Sequence, residues 1–177
     1  MLAHQHLQLM AKYNQWMNQK VYDAAASLSA DELQKQRGAF FGSIFATLNH
    51  LAVADTIWLK RLSVIFPAEW ELESAKQLQQ IQQLDLNLFD DLNQLRAYRD
   101  QLDAILIKLS HHADHEILSQ PVSYFDIKGN PYTKQFFSLL MHLFNHQTHH
   151  RGQITTMLTQ AGVDVGVTDL NMLIPTL

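Results

Sequence analysis

The chain has no cysteine among its 177 residues. This excludes disulfides, thiolate metal ligands and a cysteine nucleophile, and it fits a cytoplasmic protein. No run of ~18 consecutive apolar residues occurs, so no membrane span is expected. The first residues, Met1-Leu-Ala-His-Gln-His6, lack a basic region followed by an apolar core, and no signal peptide is evident. The 13 lysines and arginines are scattered and the formal net charge is −4. A nucleic-acid binder would show a basic face, so nucleic acid is not the expected ligand. Internal repeats and linkers are also lacking. What remains, with 47% hydrophobic and 17% charged residues, is a globular composition, not a disordered one. At this length residues 1–177 are expected to form a single domain.

The apolar residues recur at helical spacing in four long stretches. The first covers residues 3–27, with Leu7, Met10, Tyr13, Met17 and Val21 on one face. Ser29-Ala-Asp-Glu32 reads as a capping box for a short helix, and Gly38 interrupts the pattern. Ser43 then opens a second long helix through Leu48, Leu51, Trp58 and Leu62, ending before Pro67. Residues 68–84 are Gln-rich and read as loop with a helical turn or two. A third helix is expected from about Asp85 to Leu109, ending near Ser110-His-His112. Residues 115–132 look extended, with a turn at Lys128-Gly-Asn-Pro131. They predict a small hairpin or a long crossover loop. Thr133 is expected to cap the fourth helix, which runs through Phe144 to Leu158 and stops at Gly162. Four long amphipathic helices with one long connection before the last predict an all-α four-helix bundle, a fold that builds metal sites from side chains on facing helices.

The fourth helix carries the strongest functional signal. His142, His146, His149 and His150 fall within nine residues, out of 10 histidines in all. Residues four apart share a helix face, so His142, His146 and His150 form one stripe. Neutral imidazole is the commonest side-chain ligand for Zn, Ni, Cu and Fe, and two rings one turn apart can grip one ion. A third ligand must come from elsewhere. His50, midway along the second helix among apolar neighbours, is the candidate. Three ligands with an open position is the catalytic pattern, whereas closed four-ligand sites are structural. Spacing alone leaves His142 and His149 as alternatives within the set.

The order and spacing of several segments resemble the DinB/YfiT family of metal-dependent enzymes. The matching segments are Tyr13-Asn-Gln-Trp-Met-Asn18, Phe41-Gly-Ser-Ile-Phe-Ala-Thr-Leu-Asn-His50 with Asp55-Thr-Ile-Trp58-Leu-Lys-Arg61, and Phe144-Asn-His-Gln-Thr-His-His-Arg-Gly-Gln153. Thr168-Asp-Leu170 resembles the family's closing segment, so the likeness spans nearly the whole chain. The resemblance implies a bundle of up-down-down-up topology and a metal site made of His50, His146 and His150, with no departure at those positions. It also implies a divalent transition metal, Zn or Ni first, and a homodimer paired through helix faces. Some members use low-molecular-weight thiols. A DNA polymerase shares the family's name, but nothing here resembles it.

His149 lies about 60° around the helix from His146 at ~100° per residue, which favours a supporting or surface place. His142 lines the pocket or packs at the bundle end. Asn49, Asn145, Gln147 and Gln153 are candidates for hydrogen bonds that orient ligating imidazoles. Asp55 is expected to pair with Arg61 or Arg151 inside the bundle, and Arg151 is expected to serve structure before substrate. Trp16, Trp58, Tyr13 and Phe144 are expected in the core. His111, His112 and His115 follow a helix end, where cations are favoured. No aspartate or glutamate is placed near the histidines as a general base. The expected function is therefore a metal-dependent enzyme acting on a small molecule, as a thiol-dependent transferase or isomerase or as a hydrolase. The alternative is a non-catalytic, stress-associated metal-binding protein.

Overall fold

A computed structural model describes residues 3–70 and 72–176. Met1, Leu2 and Leu177, which the single-domain and leader expectations include, lie outside the described residues. Four long helices carry the fold: α1 (Ala3–Ala25), α3 (Ile44–Leu62), α5 (Leu92–His112) and α7 (Phe136–Gln160). Three one-turn helices, α2 (Ala30–Gln34), α4 (Glu73–Gln77) and α6 (His115–Ser119), lie in the connections. A two-stranded antiparallel hairpin, β1 (Pro121–Phe125) and β2 (Pro131–Gln135), precedes α7. Among the described residues no helix is long and apolar enough to cross a membrane.

Side-chain pairs fix the directions. Asn14 and Asn18 of α1 meet Asp103 of α5, and Asp23 meets Arg96, so these two helices are antiparallel. Asp55 meets Arg99 and Thr56 meets Tyr98, while Asn49 meets Phe89 just before α5. Residue numbers rise together there, so α3 and α5 are parallel. His50 meets His146 and Trp58 meets His142, so α3 and α7 are antiparallel. The result is the up-down-down-up bundle. Parallel α3 and α5 require the chain to return the length of the bundle, ~30 Å for a helix of this size, and residues 63–91 make that return.

The core is the apolar stripe of each long helix, for example Leu7, Met17 and Val21 of α1, Leu95, Leu102 and Leu109 of α5, and Leu140, Phe144 and Ile154 of α7. Helix α3 is buried on nearly all sides. Local signals set its start, where Ser43 Oγ accepts from the amide of Ala46 at 3.1 Å. At the same end of the bundle Gly162, with φ +80°, closes α7. Its amide donates to Thr159 and that of Val163 donates to Leu158, a Schellman motif.

Several boundaries differ from the sequence reading. Helix α5 begins at Leu92, not near Asp85, because Asp91 caps it by accepting from the Gln94 amide. Residues 88–89 are held out of the helix by Asn49, whose Oδ1 accepts from the Leu88 and Phe89 amides. Residues 115–119 are helical instead of extended, since Asp114 supplies an N-cap. Thr133 caps nothing: it sits in β2 and its hydroxyl pairs with Ser123 across the hairpin at 2.8 Å. The Ser29 capping box is half made. Ser29 accepts from the Glu32 amide, but the Glu32 carboxylate turns to Lys35 and Arg37.

One layer of the core is polar. Asn14 and Asn18 (α1), Asp55 (α3), Arg99 and Asp103 (α5), and Gln147 and Arg151 (α7) are all buried. Arg99 pairs with Asp55 at 2.7 Å and with Asp103 at 3.1 Å. Arg151 donates to Asn14 at 2.5 Å and to Gln147 at 3.0 Å, and Gln147 donates to Asp55 at 2.6 Å. Asp55 therefore pairs with Arg99, not with Arg61 or Arg151; Arg61 lies too far along α3 and stacks on Trp58 instead. Burial pulls the Arg151 guanidinium down to about 10, so it is still protonated at neutral pH. Removing one partner of such a buried pair leaves an uncompensated charge. Arg99→Met is expected to destabilise the fold by about 3–5 kcal/mol, read as a lowered urea midpoint by circular dichroism. A midpoint equal to wild type would refute the role given to this layer.

Candidate metal centre

His50 projects from the middle of α3, and His146 and His150 project one turn apart from α7. One nitrogen from each ring can be chosen so that all three lie within 4.8 Å of one another. The Nε2 atoms of His50 and His146 are 3.1 Å apart, and the ring centroids of His146 and His150 are 4.5 Å apart. Two nitrogens ~2.0–2.1 Å from a shared zinc ion, at angles from a right angle to tetrahedral, would stand about 2.9–3.4 Å apart. The closest pair falls inside that window. Three imidazoles and no thiolate suit a divalent transition metal.

The tautomers are set from outside the triad. His50 Nδ1–H donates to the carbonyl of Leu84 at 3.0 Å. His150 Nδ1–H donates to Gln153 Oε1 at 2.9 Å, and Gln153 Nε2 in turn donates to His149 at 3.2 Å. With Nδ1 protonated, the lone pair of each neutral ring sits on Nε2, and these bonds fix ring orientation. Phe41 stacks on His50 with centroids 3.8 Å apart and an interplanar angle of 22°, and its ring also meets His150 at 5.5 Å.

The protonation balance favours ligands over cations. Burial, then the neighbouring His150, His50 and His142 rings, push His146 down to about 3. Burial is also the main cause lowering His50 and His150, against the opposing hydrogen bonds from Leu84 and Gln153. All three are neutral at physiological pH without a metal.

Two of the three histidines, His50 and His146, border an open cleft of about 530 Å³. His50, Trp58 and Arg61 line it from α3, His142 and His146 from α7, and Asp126 and Tyr132 from the hairpin. Trp58 anchors the hairpin by meeting Tyr124 edge-on at 5.3 Å. A second opening, beyond Phe41, reaches His50 past Asp85.

The chain matches the model of the DinB family over residues 1–175. It belongs to the DinB family. It is 27% identical over 169 residues to Protein DinB of Bacillus subtilis strain 168, covering 91% of this chain and 89% of that protein. The crystal structure of a DinB-like protein from Bacillus cereus superposes with a TM-score of 0.59 at 21% identity, covering 86% of this chain and 91% of that one. That likeness shows the shared fold.

The sequence-predicted ligands His50, His146 and His150 are brought together. His142 is left out of the triad and lines the cleft, with its ring 5.1 Å from Trp58. His149 is exposed and reaches the site only through Gln153. Of the four amide candidates, Gln153 orients a ligand directly and Asn49 holds the loop that follows Leu84. Gln147 belongs to the polar layer, and Asn145 bonds the Met141 carbonyl on the helix surface. Tyr13 and Phe144 are buried as expected, Trp16 and Trp58 only in part. His112 stacks on Trp70 and His111 meets Gln8, so neither joins a metal group. Sequence reasoning missed the Leu84 carbonyl, since backbone acceptors leave no residue-type signal. It also missed Arg61 and the hairpin residues as cleft walls; the step of 11 from His50 to Arg61, about 20° from three full helical turns, was the available sign.

The depressed His146 pKa has a consequence for the metal-free protein. Between about pH 3 and 6.5 the unfolded chain binds a proton at His146 that the folded chain refuses. Stability thus rises with pH in this window, is complete above 6.5, and is lost as pH falls. The contribution is at most about 1.4 kcal/mol per pH unit, less for a partly exposed ring. Urea unfolding of metal-free protein across this range should show that slope. His146→Gln should flatten it, and an unchanged slope in the variant would assign the effect elsewhere.

Proposed function

We propose that this protein is a divalent-metal-dependent enzyme that acts on a small molecule bound in the cleft beside His50 and His146. A low-molecular-weight thiol serves as co-substrate in a transferase or isomerase reaction. The carrying observation is the shape of the donor set. Among the described residues three histidines converge and no carboxylate completes the group, and two of the rings, His50 and His146, border an open cleft. A structural site is normally closed by four protein ligands, so this arrangement favours catalysis over a purely structural ion.

His50, His146 and His150 would hold the ion, with Zn or Ni the metals to test first. A bound divalent ion there supplies a Lewis acid that lowers the pKa of a coordinated thiol or water. The chain's own part is to orient. Leu84 and Gln153 hold two ligands in the Nε2-accepting tautomer, and Phe41 covers one side of the rings. Thiol chemistry asks little more of the protein, because thiolate needs no general base once stabilised. Hydrolysis would need one, and the Asp126 carboxylate in the cleft is occupied by the amides of Lys128 and Asn130 and the side chain of Asn130. Homodimerisation, which the family resemblance implies, is part of the proposal and is read by light scattering.

Elemental analysis of protein loaded with Zn or Ni should give one ion per chain. His146→Ala should abolish binding, and Gln153→Ala should weaken it by about 10–100-fold. A panel of small thiols with electrophilic acceptors should then show turnover in loaded wild type but not in His146→Ala. Wild-type protein that binds no divalent metal would end this reading.

A further inference from the structure

Of the two cations that line the cleft, Arg61 and Lys128, Arg61 is the one held against aromatic rings. It is half-buried, and its guanidinium lies 5.1 Å from the ring centroids of both Trp58 and Tyr124. Among the described residues it forms no ion pair; those ion pairs involve Lys35, Arg37, Lys76, Arg96 and Arg99. Burial lowers the proton affinity of its guanidinium, Tyr124 and Asp126 oppose that, and the Asp126 carboxylate is engaged by the hairpin turn. A guanidinium lodged between two aromatic rings that stand at 69° to each other, with no carboxylate bonded to it among the described residues, can turn its N–H edge to a planar anion and grip it with two parallel bonds.

The position of Arg61 relative to the histidines is equally defined. His50, Ala54, Ile57, Trp58 and Arg61 line the same cleft from one face of α3. Eleven residues separate His50 from Arg61, or ~16 Å of helix axis. Helical side chains lean toward the N-terminus, so Arg61 reaches back over Trp58 toward His50. Between the two ends the wall is aromatic, with His142 5.1 Å from Trp58 and 6.1 Å from His146. The charged lining residues are Arg61 and Lys128 against Asp126, two cations and one anion, with the histidines neutral. A net single positive charge matches a monoanion.

Resting on the reading of the triad as the reacting end of this cleft, we infer that Arg61 is its specificity-determining residue. It takes the carboxylate of a small monoanionic organic acid whose flat apolar body lies along Trp58 and His142. Binding of 2-naphthoate, followed by calorimetry on Zn-loaded protein, tests this. The neutral isostere 2-naphthalenemethanol should bind about 10–100-fold more weakly, the range for a charge-assisted pair. Arg61→Met should lower naphthoate affinity by a similar factor while leaving one zinc per chain. Arg61→Lys, which keeps the charge and stem but not the fork, should lose several-fold and decides the matter if Arg61→Met does not fold. Trp58→Leu should also weaken binding. Equal affinity for the two probes, or wild-type affinity in Arg61→Lys, overturns the proposal, and tighter binding of 2-naphthyl phosphate replaces carboxylate by phosphate and overturns it too. The two readings fail separately. Arg61-dependent naphthoate binding by a protein that takes up no metal refutes the metal centre alone, and metal uptake without such binding refutes the Arg61 assignment alone.

Discussion

The buried polar layer is the constraint on which the other features depend. Each of the four long helices contributes to it, and its two arginines balance its two aspartates. Such a cluster adds little net stability compared with well-packed apolar residues, because desolvating the charges costs about as much as their attraction returns. Its effect is on alternatives. An apolar bundle tolerates a helix sliding by a turn with modest loss, since Leu packs acceptably against many neighbours. A buried Arg99 displaced from Asp55 and Asp103 has nowhere to go.

The metal centre inherits that constraint directly. Gln147 and Arg151 are each one residue beyond His146 and His150 on α7. When the former pair points into the layer, the latter is turned ~100° away, toward His50. Asp55 stands in the same relation to His50 on α3, five residues on and ~140° around. A single choice of rotation and height for α3 and α7 therefore satisfies both the charge network and the triad. The low proton affinity of the histidines comes from being crowded into a partly dry corner, and neutral rings with Nε2 lone pairs are the form a metal requires. That crowding costs stability in acid.

How much of this the sequence disclosed follows from the range of the interactions involved. The helical period survived because it is repeated many times along each stretch, and the Ser43 cap and the Gly162 stop are local to a few residues. The triad was legible because His146 and His150 share a stripe, and because the family resemblance selected His50 as their partner. The start of α5 was misplaced because Leu86 and Leu88 continue the apolar pattern. Asn49, about forty residues earlier, holds that segment out of the helix, and no local rule contains that contact. The partner of Asp55 was missed for the same reason. Arg99 is neither near it in sequence nor marked by any motif, whereas Arg61 and Arg151 drew notice by lying in the matching segments. Thr133 illustrates the converse, a good capping residue whose hydroxyl is spent across a hairpin that ends only at Gln135.

The division of labour within the site follows from the topology. Parallel α3 and α5 cannot be joined by a short turn, so the return through residues 63–91 is obligatory. Part of that return passes the triad, where the Leu84 carbonyl sets the tautomer of His50. The connection from α5 to α7 likewise carries the hairpin, whose Tyr124 packs on Trp58 and whose Asp126 and Tyr132 form the far wall of the cleft. The bundle thus supplies the three histidines and their spacing, and the connections supply ring orientation and the far wall of the cleft. Ligands embedded in helices that also hold a buried charge network cannot shift without unfolding cost, while hairpin and loop residues can vary with little penalty. Arg61 lies at the boundary between these two regimes. Its backbone belongs to α3, and so its distance from His50 is fixed, but the ring of Tyr124 that packs against its guanidinium belongs to the hairpin. Selectivity at that end of the cleft should therefore respond to changes in the hairpin that leave the three histidines untouched.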